Sequence, residues 1–140
     1  MGYDLSNSSG AYVRFTGSGW SLALAVAEHY GWAPAGIPQP ATWDETKDGP
    51  WVDDYWMNCG QEVTFDDAAA LTAALDRAVA APDFVETVIR LQDELNESVA
   101  RHNPNWRDTL KPLSREQAEG FRTRLVEFAG LTRQGPFSID

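Results

Sequence analysis

Cysteine is almost absent from this sequence, since Cys59 is the only one in 140 residues. A single thiol forms no internal disulfide and cannot build a zinc site that needs several cysteines. The N-terminus also lacks a basic stretch followed by an apolar run, and no segment approaches the roughly 18 apolar residues of a membrane span. These absences predict a cytoplasmic protein with no disulfide framework and no membrane contact.

Basic residues are scarce as well, because 11 Lys and Arg face 21 Asp and Glu, a net charge of −10. Residues 1–70 hold ten acids against Arg14 and Lys47, whereas residues 71–140 hold eleven acids against nine bases, so the halves carry −8 and −2. Binding to nucleic acid relies on Lys and Arg and is therefore disfavoured. The acidic half either attracts a cationic partner or simply keeps the protein soluble.

Histidine is limited to His29 and His102, and neither belongs to a His-x-x-x-His or Glu-x-x-His pattern. The nucleophile pattern Gly-x-Ser-x-Gly is absent too. Cys59 has Glu62 as its nearest charged neighbour in the sequence, and a negative charge opposes formation of the thiolate. We therefore predict no catalytic residue.

Two pairs of adjacent carboxylates, Asp53-Asp54 and Asp66-Asp67, are the remaining candidates for a metal or an acid–base role. Neither pair has the spacing of a calcium-binding loop, and adjacent carboxylates usually diverge in direction. Asp66 and Asp67 also fit the first turn of a helix capped by Thr64, where negative charge is favourable. We therefore predict no metal ligand and no cofactor.

The composition is typical of a globular protein, with 43% hydrophobic and 23% charged residues, and the length suits one domain over residues 1–140. Periodicity, turn residues and capping signals divide the chain into elements. We predict strands at 11–16, 55–57 and 137–139, helices at 18–30, 64–80, 83–100 and 114–130, and no regular structure in the Ser/Asn/Gly-rich start. The fold class that follows is α+β, with about four helices packed with a small antiparallel sheet or hairpin around a single core.

The helix at 83–100 has the clearest amphipathic pattern. Its apolar residues recur at steps of four, three, four and four, as one helical face requires: Phe84, Val88, Leu91, Leu95 and Val99. We expect this stripe to bury Val88, Leu91 and Leu95.

Capping signals mark the ends of two other helices. Ser114 followed by Gln117 matches a capping box at the start of the last helix. Gly31 and Gly130 are predicted to end the first and last helices, because glycine enters the left-handed region at low cost.

Tryptophan is concentrated in one window of the sequence. Five of the six lie between residues 20 and 56: Trp20, Trp32, Trp43, Trp51 and Trp56. Residues 32–56, which we call the Trp loop, also contain four prolines and two glycines, so we predict a long irregular connection. Such loops are often functional. The loop either folds back as a lid on the helices or presents a pocket for a flat or cationic ligand.

The candidate binding residues come from this loop and from the turn that follows it. Indole faces stack on planar rings or hold cations, carboxylates supply compensating charge, and amides orient a guest. The predicted set is Trp32, Trp43, Trp51, Asp53, Asp54, Tyr55, Trp56, Asn58 and Gln61.

Several short motifs are distributed over most of the chain. They are Gly19-Trp20 before an apolar helix, Tyr30-Gly31-Trp32-Ala33-Pro34-Ala35-Gly36, Asn58-x-Gly60-Gln61-x-Val63-Thr64, Asp67-Ala68-x-x-Leu71-x-x-Ala74-Leu75, and Phe128 with Gly135-Pro136-Phe137-Ser138-Ile139. In these motifs the chain resembles a bacterial family of small uncharacterised proteins. Members of that family often carry an acidic residue at the position of Cys59 and a glycine at that of Pro136, so neither position is expected to carry function. The resemblance implies a standalone bacterial domain and brings no activity or cofactor.

We interpret the sequence as that of a non-catalytic binding or interaction protein. Its acidic, Trp-rich surface would hold a cationic or aromatic small molecule, or a basic protein partner. A protective role, such as immunity to a toxin or resistance to a drug, would suit this surface. The alternative is a small enzyme in which Asp53, Asp54, Asn58 and Gln61 line a pocket beneath the Trp loop.

Overall fold

The computed structural model describes residues 2–52 and 54–140, and the candidate residue Asp53 lies outside this range. One antiparallel sheet runs through the described residues in the order β2-β1-β4-β3. Its strands are β1 Gly2–Ser6, β2 Tyr12–Thr16, β3 Gln61–Val63 and β4 Phe137–Ile139. Leu5 of β1 lies opposite Ile139 of β4, and Ser138 of β4 lies opposite Glu62 of β3. The two ends of the described chain therefore meet at the centre of the sheet.

The two faces of the sheet differ in chemistry, because successive side chains of a strand point to opposite faces. One face is apolar and buried against the helices through Leu5, Val13, Phe15, Val63, Phe137 and Ile139. The opposite face is polar and at least partly exposed, and it carries Asp4, Ser6, Arg14, Glu62 and Ser138. An antiparallel sheet with one covered and one solvated face gives this alternation.

The helices are α1 Gly17–His29, the single turn α2 Glu45–Asp48, α3 Phe65–Ala80, α4 Phe84–His102 and α5 Arg115–Thr132, with a 3-10 helix at Pro104–Thr109. The long helix α1 contacts β1, β2, α3 and α4, and α5 contacts α3, α4 and β2. The fold is therefore α+β with a single core, as the sequence predicts. No helix among the described residues is both long enough and apolar enough to cross a bilayer.

Trp20 of α1 lies at the centre of this core and is fully buried. Its ring centroid is 5.8 Å from that of Phe15 in β2 and 5.5 Å from that of Phe128 in α5. Its indole Nε1 donates a hydrogen bond to the carbonyl oxygen of Tyr55, 2.7 Å away. The central aromatic side chain thus joins the sheet, two helices and the end of the Trp loop.

The two predicted helix caps, at Thr64 and Ser114, are confirmed. The Thr64 hydroxyl accepts from the Asp67 amide, and Ser114 and Gln117 form a complete capping box. Gly31 follows α1 with a φ of +108°, as its predicted role as a helix stop requires. The predicted helix end at Gly130 is wrong, because α5 continues to Thr132. The turn that follows uses Gly135, which has a φ of +113°.

Two strand predictions are wrong. Residues 55–57 form no strand, because Gln61 bonds to the carbonyl oxygens of Asp54 and Met57 and turns the chain there. The start of the chain, for which no regular structure is predicted, forms β1. Its partners are β2 and β4, and pairing on both sides stabilises a strand whose own sequence contains Gly2 and Ser6.

The apolar stripe of α4 is buried along only part of its length. Val88 is fully buried and Leu91 is 8% exposed, whereas Leu95 and Val99 are half-buried. The expectation that Leu95 lies as deep in the core as Val88 is therefore wrong. The reason is that Leu95 and Val99 line an open cavity between the first turns of α1, at Ser18 and Ser21, and Leu110, which follows the 3-10 helix.

The two leucines of α4 provide a matched test of this burial. We expect Leu91→Ala to lower the free energy of unfolding by about 2–5 kcal/mol, the range for a core leucine. Leu95→Ala should cost clearly less, because part of its side chain already contacts water. Urea denaturation of the two variants and the parent measures both values. Equal losses would show that Leu95 belongs to the core after all.

Candidate functional site

The Trp loop is fastened to the core by the side chain of Asp67, which lies in the first turn of α3 and is 1% exposed. Its Oδ1 accepts hydrogen bonds from Trp32 Nε1 at 2.8 Å and from the Ala35 amide at 3.3 Å. Its Oδ2 accepts from the Tyr55 hydroxyl at 2.5 Å. A buried carboxyl group is tolerated when such donors replace water. Asp67 therefore joins both ends of the Trp loop to one helix.

Tyr55 completes this arrangement at the far end of the loop. Its hydroxyl oxygen accepts from the Gly36 amide at 3.0 Å while its hydrogen is donated to Asp67. Its ring meets that of Trp32 edge-on, with the centroids 5.1 Å apart. Trp32 and Tyr55 are both buried, so they fix the loop from below and do not line its outer surface.

Trp43 and Trp51 hold the middle of the loop together. Their rings are in edge-to-face contact, with the centroids 5.0 Å apart. Trp43 Nε1 donates to the Gly49 carbonyl at 2.9 Å, and Trp51 Nε1 donates to the carbonyl of the buried Ile37 at 2.7 Å. Both indoles are half-buried, and their N–H groups are used within the loop.

Gln61 organises the turn that follows the loop, although its side chain is fully buried. Its Nε2 donates to the carbonyl oxygens of Asp54, at 3.1 Å, and Met57. Its Oε1 accepts from the amide and the thiol of Cys59, at 3.0 and 3.3 Å. The amide predicted to orient a ligand is therefore engaged in shaping residues 54–61.

The exposed members of the predicted set lie near the start of β1. Trp56 is 48% exposed, its amide donates to Asp54 Oδ1 at 2.6 Å, and its carbonyl accepts from the Tyr3 hydroxyl at 2.5 Å. Burial raises the pKa of Tyr3, and the charge of Asp54 raises it further, so the phenol stays a donor at neutral pH. Asn58 is also exposed and reaches the Gly2 carbonyl at 3.5 Å.

The structure thus separates the predicted set into two groups. The aromatic residues Trp32, Trp43, Trp51 and Tyr55, together with Gln61, form a scaffold through bonds inside the loop and to the core, although Trp43 and Trp51 are only half-buried. Asp54, Trp56 and Asn58 lie outside this scaffold and are partly or fully exposed. This geometry favours the alternative in which the Trp loop is a lid on the core. Ligand contact by the accessible residues stays a prediction.

Sequence reasoning missed an open groove beside β3. One side is formed by residues 38–42 of the Trp loop and the other by Gly60, Glu62 and Thr64, and together they enclose about 410 Å³. A second open cavity of about 340 Å³ lies over the polar face of the sheet, between residues 6–9 and Ser138, and Glu62 lines it as well. Burial alternates along β3, with Gln61 and Val63 buried and Glu62 exposed, but the sequence Gln-Glu-Val lacks the apolar-polar alternation that would indicate a strand.

Charge compensation is uneven across the described residues. Of the eight ion pairs, six join residues within 76–133. The two basic residues of the first half are already occupied, Arg14 with Asp4 and Lys47 with Asp44. Glu62, the charged residue that lines the groove, is exposed and takes part in none of the eight ion pairs, and the same holds for Asp66 just beyond Thr64.

The other chemically active side chains lie apart from this groove or have local partners. His29 contacts Arg90 and the ring of Tyr30, and His102 contacts the Ser98 carbonyl. Within residues 2–52 and 54–140, no group of three or more His, Cys, Asp or Glu side chains is close enough to hold a metal ion.

The role of Asp67 can be tested with an isosteric change. Asp67→Asn replaces one acceptor oxygen by an NH₂ group that faces bound donors, so we expect the free energy of unfolding to fall by about 1–3 kcal/mol, the cost of an unsatisfied buried group. The neighbouring Asp66→Asn is the control, because Asp66 is exposed in the same helical turn. Urea denaturation followed by tryptophan fluorescence measures both. Equal stability of the two variants would contradict the anchoring role.

Comparison with models of protein families, with curated proteins and with solved structures finds no match to this chain. Function is therefore inferred from geometry and charge, and the resemblance to the bacterial family stays a prediction.

Proposed function

We propose that this chain is a non-catalytic binding protein of the bacterial cytoplasm that holds a basic protein partner. Binding occurs on the acidic surface around β3, which we define by Glu62, Asp66 and Asp140 together with residues 38–42. The observation that carries the proposal is the uncompensated charge of this surface, since the cations of the first half already pair with Asp4 and Asp44.

The carboxylates of this surface belong to three segments that meet around β3. Glu62 projects from β3, Asp66 follows two residues after Thr64, and Asp140 continues β4. Asp140 Oδ1 lies 3.3 Å from the position that a Cβ on Gly60 would occupy, which places it beside the start of β3. Like charges arranged in this way raise the local concentration of a cationic partner and direct its approach.

The arrangement of the tryptophans favours a protein partner over a small aromatic or cationic molecule. A cage for such a molecule needs accessible indole faces, but Trp32 is buried, and in the edge-to-face contact of Trp43 with Trp51 the edge of one ring covers a face of the other. The accessible groups are carboxylates, hydroxyls, amides and the ring of Trp56, spread over an open surface. This mixture is typical of the polar part of a protein interface.

The alternative of a small enzyme requires Asp54, Asn58 and Gln61 to face a substrate. Gln61 is buried and bonded to the backbone of the turn, and Asp54 accepts from the Trp56 amide. These side chains are therefore used in folding the turn, and no specific observation favours the enzyme.

The proposal predicts salt-dependent binding of a basic probe. We expect an unstructured peptide rich in Lys and Arg to bind the protein, and the affinity to fall as salt rises, because exposed charges are screened over about 8–10 Å near physiological ionic strength. Replacing its basic residues by Glu should abolish binding. Isothermal titration at several salt concentrations measures the effect, and no binding at low salt would sink the proposal.

The position of the surface is tested with matched charge-removing variants. Glu62→Gln with Asp66→Asn should weaken binding about two- to thirtyfold, because each exposed pair contributes about 0.2–1 kcal/mol. The control combines Asp93→Asn with Glu116→Gln, which removes two exposed acids from the second half. Equal weakening in both variants would mean that net charge alone attracts the peptide.

A further inference from the structure

We propose that the groove beside β3 takes an extended basic segment of the partner as an additional strand of the sheet. This inference rests on the proposed function, since it states how the basic partner is held. The occupant is a segment whose backbone pairs with β3 and whose Lys or Arg side chains meet the carboxylates along the groove.

The backbone of β3 is directed toward this groove. Asp4 and Asp140 exchange two hydrogen bonds of 2.8 Å each, so alternate residues of β4 face β1, and Phe137 and Ile139 face β3. Their partners Val63 and Gln61 therefore use the inner side of β3. Glu62, between them, directs its N–H and C=O to the free edge, and β3 is the last strand in the sheet.

The opposite wall of the groove is fixed in place but does not pair with β3. It contains Pro38 and Pro40, which have no N–H to donate to a strand. Trp51 holds its start through the Ile37 carbonyl, and the amide of Trp43 holds its middle through the Pro40 carbonyl at 3.0 Å. Trp43 and Trp51 thus hold residues 38–42 beside β3 without pairing them to its free edge. The groove of about 410 Å³ lies between these residues and β3.

The charge along the groove selects a basic segment. Glu62 is the acidic residue among those that line the groove, and Asp140 Oδ1 lies beside Gly60 at one end. Asp66 follows Thr64, which lines the other end, by two residues in the sequence. None of the residues lining the groove is basic. Alternate side chains of an added strand lie on one face of the sheet, so basic residues at every second position share the face on which Glu62 lies.

The other edge of the sheet does not offer the same site. Arg124 of α5 donates to the carbonyl oxygen of Arg14 in β2, and its guanidinium lies over the Phe15 ring at 5.0 Å. A cationic side chain thus occupies that edge and would repel a basic segment. Of the two edges, only that of β3 combines an open groove with negative charge.

The test uses the full chain and an eight-residue peptide in which Lys alternates with Thr. Two further peptides carry backbone N-methyl groups, the first on its Lys residues and the second on its Thr residues. Because alternate residues of a strand direct their N–H groups to opposite edges, each peptide lacks the N–H donors of one edge. We expect one of these two to lose at least tenfold in affinity by titration and the other to bind nearly as well as the parent. Hydrogen exchange at the Glu62 amide should slow in the bound state.

Other outcomes separate this inference from the proposed function. If both N-methylated peptides bind like the parent, or exchange at Glu62 is unchanged, strand addition is wrong while the acidic surface remains a binding surface. Amide chemical-shift changes in NMR spectra of the protein locate the site of the unmodified peptide. If one N-methylated peptide loses affinity but these changes lie outside residues 38–42 and 60–66, the proposed position of the site is wrong. If the parent peptide itself does not bind at low salt, both proposals fail.

Discussion

The buried carboxyl group of Asp67 is the interaction on which the Trp loop depends. Burying such a group is costly unless its oxygens are bonded, and here the donors come from both ends of one loop. Ordering a long connection whose regular structure is the single turn α2 costs conformational entropy at every residue. Asp67 offsets part of that cost at two points, and the indole hydrogen bonds of Trp43 and Trp51 fix the chain between them.

The tryptophans and the carboxylates of the Trp loop have different roles in this structure. The tryptophans supply apolar area and one donor each, which suits them to hold an irregular segment against a core. The outer carboxylates of the loop, such as Asp44 and Asp54, bond instead to groups two or three residues away and stay partly exposed to solvent. The composition of the window suggested one mixed aromatic and acidic site. In the folded chain Trp20, Trp32 and Tyr55 are buried and Trp43 and Trp51 half-buried, whereas Trp56 is the exposed indole of this window.

The sequence predicts the long elements well because their signals are local. Helix periodicity, the Thr64 cap and the Ser114–Gln117 capping box each depend on residues within a few positions of one another. β1 and β3 could not be found in this way, because short strands are stabilised by partners distant in sequence, such as Leu5 with Ile139. The hydrogen bonds of Asp67 are equally non-local, since its carboxyl group accepts from Tyr55 and Trp32, which lie 12 and 35 positions away in the sequence. The groove beside β3 could not be predicted either, because it forms between two segments that the sequence analysis assigns to a loop and a turn.

An open strand edge is normally a hazard, because another copy of the chain can pair with it. Here the hazard is reduced by charge, since two molecules of net charge −10 repel one another and Glu62 is at the centre of the exposed edge. The same charge attracts a segment of the opposite sign. At the opposite edge the protection has a different form, a cationic side chain bonded directly to the backbone of β2. Arg124 thus blocks the β2 edge, and negative charge at the β3 edge repels a second copy of the chain. The β3 edge stays accessible to a strand that carries positive charge.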